Sequence, residues 1–252
     1  MQKTILNIQN VSKNFDGITA LNDFSCQVQE KNILGLIGPN GAGKTTLFNV
    51  LTGFIPCDTG KADLKDRDIL KMSPYQIYNL GMVRTFQILR LIRQMSVLDN
   101  VRLAFPHQKG ESLFNVFTRN HRIKEQESAF TDKAMDLLKW AGLREKAHNM
   151  AGSLSYGQQK LLSLICCLTS EPDILLLDEP VAGINPNMID KILEIIRDVP
   201  NQDRTVILIE HNMDVVMSIC DQVIFMDTGK KISEGTPEEV REDPKVIEAY
   251  LK

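Results

Sequence analysis

The sequence predicts an α/β protein, a mainly parallel sheet flanked by helices and interrupted by an inserted α-helical subdomain. Three observations predict it. Ile33-Leu34-Gly35-Leu36-Ile37, Ile174-Leu175-Leu176-Leu177 and Val206-Ile207-Leu208-Ile209 are short, nearly continuous apolar runs, the pattern of strands covered on both faces. Helical stretches follow all three: Lys44 to Gly53, Asn187 to Val199 and Asn212 to Cys220. From about Ile88 to Tyr156 no such run occurs, and helical periodicity takes over.

Taken in order, Ile5 and Leu6 begin a strand-like stretch from Lys3 to Gln9. Phe24, Cys26 and Val28 then alternate with Ser25, Gln27 and Gln29, as in a half-buried strand. In the middle third, Ser96 with Asp99 three residues later forms a helix start. Ala134, Leu137, Leu138 and Ala141 share one helix face, with Lys133, Asp136 and Lys139 elsewhere. His107 to Asn120 mixes Gly, polar and Phe residues without a period. The chain, 1–252, therefore reads as one domain: residues 1–87 and 157–252 build the α/β core, and 88–156 the inserted lobe.

Composition narrows the function. At 252 residues and 43% hydrophobic, the chain can bury a large core. Twenty-nine Lys and Arg against 32 Asp and Glu leave a net charge of -3, without the basic excess of a nucleic-acid binder. The longest apolar run, Leu161 to Leu168, contains Ser163 and falls far short of the roughly 20 residues that cross a bilayer. The N-terminus lacks the apolar segment of a secretion signal. The five cysteines are odd in number and form no CxxC, the usage of reduced thiols. These features describe a soluble, intracellular, globular protein.

Gly38-Pro39-Asn40-Gly41-Ala42-Gly43-Lys44-Thr45 fits GxxxxGK[ST], with Thr46 following, between a buried strand and a helix. Glycines let successive N–H groups point at phosphate oxygens, and the helix adds the positive end of its dipole. Lys44 then reaches the β- and γ-phosphates, and the Thr45 hydroxyl ligates Mg²⁺. An ordinary glycine-rich turn is the alternative, and the strand–loop–helix context disfavours it. Ile174 to Leu177 ends in Asp178-Glu179, at the strand end where ligand crevices of open α/β sheets form. Asp178 suits a Mg²⁺ site and Glu179 a general base that polarises water. Acidic residues often merely end strands; the phosphate loop gives these two their meaning.

With both motifs in place, the chain resembles the ATP-binding subunit of ABC (ATP-binding cassette) transporters over essentially its whole length. Leu154-Ser155-Tyr156-Gly157-Gln158-Gln159 resembles the family's LSGGQ signature, with Tyr156 for the first glycine. The resemblance implies a P-loop NTPase core with an antiparallel β-subdomain. It also implies that Ser155, Tyr156, Gly157 and Gln158 meet the γ-phosphate of ATP bound to another subunit; Ser155 equally reads as a helix N-cap. Gln87 resembles the glutamine that joins core to helical lobe and senses Mg²⁺ and the attacking water. His211 resembles the switch histidine that contacts the γ-phosphate. Phe15 sits where the family places an aromatic that stacks on adenine, although a Phe between Asn14 and Asp16 also suits a core.

Arg84-Thr85-Phe86-Gln87, the Arg93 to Val101 stretch, Ala182-Gly183-Ile184-Asn185-Pro186 and Gly235-Thr236-Pro237 are similar to branched-chain amino-acid uptake ATPases of the LivG type. Related urea and amide uptake ATPases share much of this pattern. The resemblance implies an ATP-hydrolysing motor with ATP and Mg²⁺, dimeric with itself or a sister ATPase. Its partners are separate transmembrane permeases and, indirectly, a solute-binding protein, and its place is the cytoplasmic face of the membrane. Leu91 and Ile92 then lie exposed where a permease helix docks. Two departures stand out: Cys166 occupies a usual arginine position, and Asn185 a usual aspartate. Adjacent Cys166 and Cys167 read as core filling, with a redox or metal role as the alternative. Two rivals are weaker. An ATPase acting on DNA or ribosomes would carry a heptad insertion or a second cassette. A non-catalytic nucleotide-binding regulator has no need of Lys44, Gln87, Asp178, Glu179 and His211 together.

Overall fold

A computed structural model describes residues 3–85, 89–109 and 120–251. Gln87, and residues 110–119 of the aperiodic stretch, lie outside the described residues. The chain divides into two compact units. The first comprises Met1–Gln87, Asp173–Pro180 and Leu193–Lys252; the second comprises Ile88–Pro172 and Val181–Ile192.

In the first unit β1 (Thr4–Phe15) and β2 (Ile18–Gln29) form a long antiparallel hairpin. Its turn is Asp16-Gly17, both at positive φ (44° and 92°), the two-residue geometry that Asp-Gly adopts most readily. Both strands run further than the sequence pattern predicts. The cause is visible in the pairing: register shifts between Ile8 and Val11 and again near Lys13, with Asn10 at φ 49°, break the period-2 alternation. β4 (Thr59–Leu64) and β5 (Arg67–Asp68) extend this antiparallel sheet in the order β2-β1-β4-β5.

The second sheet contains the three predicted buried strands, now β3 (Ile33–Ile37), β7 (Ile174–Asp178) and β8 (Thr205–Ile209), every residue of each buried. They are joined by β6 (Met82–Arg84), β9 (Gln222–Asp227) and β10 (Lys230–Gly235) in the order β10-β9-β3-β8-β7-β6. All neighbours are parallel except β9 and β10. Parallel pairing brings the carboxyl ends of β3, β7 and β8 to one edge, which is what assembles the site. Helix α1 (Lys44–Leu51) buries Leu47, Phe48, Val50 and Leu51 in one cluster with Leu6, Phe24 and Val28 of the first sheet and Leu36, Ile207 and Ile209 of the second. Each such side chain contributes roughly 1.5–3 kcal/mol by leaving water, so α1 is held firmly beneath its loop. The short α2 (Pro74–Asn79) starts at Ser73, whose hydroxyl accepts from Gln76 N–H.

The second unit is helical, with no strand among its described residues. Ser96 caps α3 (Val97–Leu103) by accepting from Asp99 N–H at 3.0 Å, as its spacing predicts. In α4 (Asn120–Trp140) Ala134 and Leu138 are fully buried, and Phe130 stacks on Phe105 at 4.5 Å. Helix α5 (Tyr156–Leu168) clusters here, so the return to the first unit falls at Asp173 where the sequence reading placed it at residue 157. The reason is its packing along α3: Cys166 Sγ donates to Asn100 O at 3.6 Å, and Thr169 Oγ1 to Ala104 O at 2.8 Å. Burial pushes the Cys167 thiol up to about 12 and Cys166 well above the usual thiol range, which supports core filling over redox chemistry. Helix α6 (Pro186–Asp198) begins in this unit, and α7 (Met213–Ile219), α8 (Pro237–Glu242) and α9 (Pro244–Leu251) belong to the first. Among the described residues no helix is long and apolar enough to cross a membrane.

Candidate nucleotide site

The phosphate loop leaves β3 at Gly38 and enters α1 at Lys44. Two glycines are dictated by their surroundings. Gly38, at φ 143°, lies against the Met226 carbonyl, and Gly43, at φ 100°, against the Ala20 carbonyl, so that a Cβ at either position would collide with backbone. Gly41 and Asn40 are exposed at the crest, Ala42 is buried beneath it, and Pro39 is half-buried. Lys44 is only 6% exposed, and its ammonium donates to Gly38 O at 2.7 Å and Pro39 O at 2.9 Å. Burial holds its pKa below the ordinary lysine value, against the opposing pull of Glu179 and Asp178. Thr45 is exposed and Thr46 half-exposed at the helix start. A cleft of about 180 Å³ opens over the loop, lined by residues 40–46 and by Ala20, Glu179, Ile209 and His211.

Two predicted residues from distant parts of the chain meet in that cleft. Glu179 follows β7 and His211 follows β8, and His211 Nε2 lies 3.0 Å from Glu179 Oε1. Glu179 takes φ 49°, and its N–H donates to Ile209 O at 3.0 Å, which turns its side chain out of the sheet. Asp178, one residue earlier, is buried and does not line the cleft wall. Its Oδ2 accepts from Arg84 Nη2 at 2.7 Å, both side chains being 5% exposed. Arg84 is the site residue to which sequence reasoning assigned no role. A lone arginine closing a three-residue strand carries no local signal, because its partner is 94 residues away. Phe15 is 40% exposed at the hairpin turn, with Lys13 Nζ 5.3 Å from its ring centroid, which removes the core alternative.

The signature residues lie in the second unit. Ser155 caps α5: its hydroxyl accepts from Gln158 N–H at 3.3 Å, while Gln158 Oε1 accepts from Ser155 N–H at 3.2 Å and Lys146 Nζ at 3.0 Å. Gly157 is buried against Met188, whose Cγ lies 2.7 Å from where a Cβ would stand. Tyr156 is 48% exposed, packs near Gly183, and has Lys160 Nζ 5.6 Å from its ring centroid. Asn185, the departure from aspartate, accepts from Met188 N–H at 3.0 Å; asparagine caps a helix as well as aspartate does, so this local role is kept.

A phosphate loop facing a carboxylate–imidazole pair, at the carboxyl ends of a parallel sheet, defines a P-loop nucleoside triphosphatase. Comparison with known proteins specifies the family. The family model described as ABC transporter matches residues 21–182, and that described as branched-chain amino acid ATP-binding cassette transporter matches 230–251. The high-affinity branched-chain amino acid transport ATP-binding protein LivG of Salmonella typhimurium is 39% identical over 252 residues, covering 100% of this chain and 99% of that one. BraF of Pseudomonas aeruginosa, of the same description, is 37% identical over 100% of this chain and 99% of its own. The crystal structure of a nucleotide-free ATP-binding cassette from an ABC transporter superposes with a TM-score of 0.85 at 34% identity, covering 99% of this chain and 100% of that one. The ADP conformation of an ABC transporter cassette gives 0.84, also at 34% identity, over 99% of each chain. The chain belongs to the ABC transporter family, as an ATP-binding cassette of its ATPases.

Proposed function

We propose that this chain is the ATP-hydrolysing motor of an importer for branched-chain amino acids. In this reading ATP lies over the phosphate loop with its adenine on Phe15. Lys44 exchanges its two loop carbonyls for β- and γ-phosphate oxygens, a short step for an ammonium already at the loop. Glu179 takes the proton of the attacking water, and His211 holds Glu179 in place and reaches the γ-phosphate. Thr45 and Asp178 offer hard oxygen donors that suit Mg²⁺; Gln87, the third expected ligand, lies outside the described residues. Among the described residues no group of three or more His, Cys, Asp or Glu is placed to hold a metal ion by itself. When bound, Mg²⁺ supplies charge neutralisation on the phosphate oxygens.

Ser155 to Gln158 would serve ATP held by a second subunit, identical or a sister ATPase. Capping by Gln158 fixes this segment as a helix N-terminus, the part of a helix that favours anions. Separate permeases carry the solute across the membrane, a solute-binding protein delivers it, and this subunit works peripherally at the cytoplasmic face. The observation that carries the substrate class is the match of residues 230–251 to the branched-chain cassette, a segment outside every catalytic motif. Reconstitution with the permeases and binding protein in proteoliposomes tests it. Leucine, isoleucine or valine is expected to stimulate ATP hydrolysis. Stimulation by urea or an amide alone would move the chain to that related group, and none by any solute would reject transport.

A further inference from the structure

Arg84 is buried, and both Nη groups of its guanidinium are directed at acceptors. Nη2 donates to Asp178 Oδ2 at 2.7 Å and Nη1 to Asn49 Oδ1 at 2.6 Å, with the group 5.4 Å from the Phe48 ring centroid. Asn49 and Phe48 belong to α1, the helix that the phosphate loop opens. Thr85 grips the same place from the other side. Its N–H donates to Leu176 O at 2.9 Å, and its Oγ1 accepts from Asp178 N–H at 3.2 Å. Two successive residues at the end of β6 therefore fix both the carboxylate and the backbone of Asp178.

Stability does not account for this arrangement. A buried ion pair recovers little more than the desolvation of its charges, and apolar residues of like volume generally do as well. A planar fork supplies direction instead: two N–H vectors fixed relative to each other, which lysine cannot imitate. We infer that Arg84 is a positioning residue for Asp178. It occupies Oδ2, leaves Oδ1 as the oxygen for a cation, and ties that orientation to α1 through Asn49. The inference rests on the reading of Asp178 as a Mg²⁺ ligand. Partners of ligating carboxylates commonly contribute at least tenfold to metal affinity.

The test uses Mn²⁺ in place of Mg²⁺, because its electron paramagnetic resonance separates free from bound ion, titrated into the protein with ADP. Arg84→Met leaves Asp178 buried without its partner and risks unfolding, so Arg84→Lys and Asn49→Leu are the informative variants. Arg84→Lys is expected to weaken Mn²⁺ binding about tenfold, while ADP affinity in EDTA stays within about twofold of the parent. Asn49→Leu is expected to show a smaller fall of the same kind. Unchanged Mn²⁺ affinity in Arg84→Lys, or an equal loss of metal-free ADP affinity, would overturn the positioning role. A fall in Arg84→Lys with none in Asn49→Leu would overturn the tie to α1. Asp178→Asn separates the two levels. If it keeps parental Mn²⁺ affinity, the ligand reading itself fails; if it loses that affinity while Arg84→Lys does not, only the inference fails.

Discussion

His211 Nε2 and Glu179 Oε1 lie 3.0 Å apart, and because a carboxylate only accepts, the proton of this bond belongs to Nε2. The pair bridges the ends of adjacent strands that are already joined by Glu179 N–H to Ile209 O at 3.0 Å. A left-handed backbone at a non-glycine residue costs roughly 1 kcal/mol or more, and Glu179 holds it where the side chain must face the cleft. His211→Ala removes the group that orients this carboxylate. Hydrolysis is expected to slow about a hundredfold, with nucleotide affinity in EDTA retained. Single-turnover assays check it, and an unchanged rate would remove His211 from the mechanism.

Lys44→Ala deletes the only side chain that bonds the carbonyls of Gly38 and Pro39 among the described residues. Loss of both turnover and ATP affinity is expected, since in the proposed reading this ammonium faces the β- and γ-phosphates. Lys44→Arg keeps the charge, but its larger fork does not fit the place of a 6% exposed ammonium, so it is expected to stay inactive. Near-parental hydrolysis in Lys44→Ala, measured by phosphate release, would sink the phosphate-loop assignment.

The parts legible in the sequence are those specified locally. β3, β7 and β8 are buried along their whole length, so their apolar runs announce them. A fourth run, Val223 to Met226, has the same pattern and forms β9 beside β3. β6 is different: three residues are too few for a periodicity, and Arg84 is tolerated there only because Asp178 waits across the sheet. The full length of β1 is obscured by its register shifts. Of the two apolar residues expected on the outside after Gln87, Ile92 is 40% exposed and Leu91 is half-buried. Such differences depend on tertiary neighbours, to which a pattern of residue types is blind.

Asp58 gives the hairpin that bears Phe15 a pH dependence. Its Oδ1 accepts from Lys13 Nζ at 2.7 Å and its Oδ2 from Asn14 N–H at 2.7 Å. The Lys13 ammonium first, and the Asn14 N–H after it, hold the carboxyl below the usual aspartate range. A folded value below the unfolded one stabilises at neutral pH, and that contribution disappears as pH falls through the folded value. Asp58→Asn should therefore melt below the parent at pH 7, and the gap should narrow as pH falls below the ordinary aspartate value of about 3.9. A gap that stays constant across thermal melts from neutral to acid pH would show that the charge plays no part.

Glu179→Gln tests the catalytic base and the two-subunit site together. The amide keeps the size of the side chain but loses the charge that draws a proton from water, so turnover is expected to fall by about two orders of magnitude or more. Lys44, Thr45 and Asp178 are untouched, and ATP should still bind. If that ATP is gripped by Ser155 to Gln158 of another subunit, unhydrolysed nucleotide should hold two chains together. The variant is then expected to be dimeric with ATP and Mg²⁺ and monomeric with ADP, by size exclusion with light scattering. Adding Gly157→Ala supplies the control. Its Cβ would stand 2.7 Å from Met188 Cγ, inside the unit that carries the signature. The double variant should bind ATP as Glu179→Gln does and yet remain monomeric. Dimerisation that persists in the double variant would place the ATP-dependent contact elsewhere. A Glu179→Gln chain that stays monomeric, alone and with a sister ATPase, would count against the shared site.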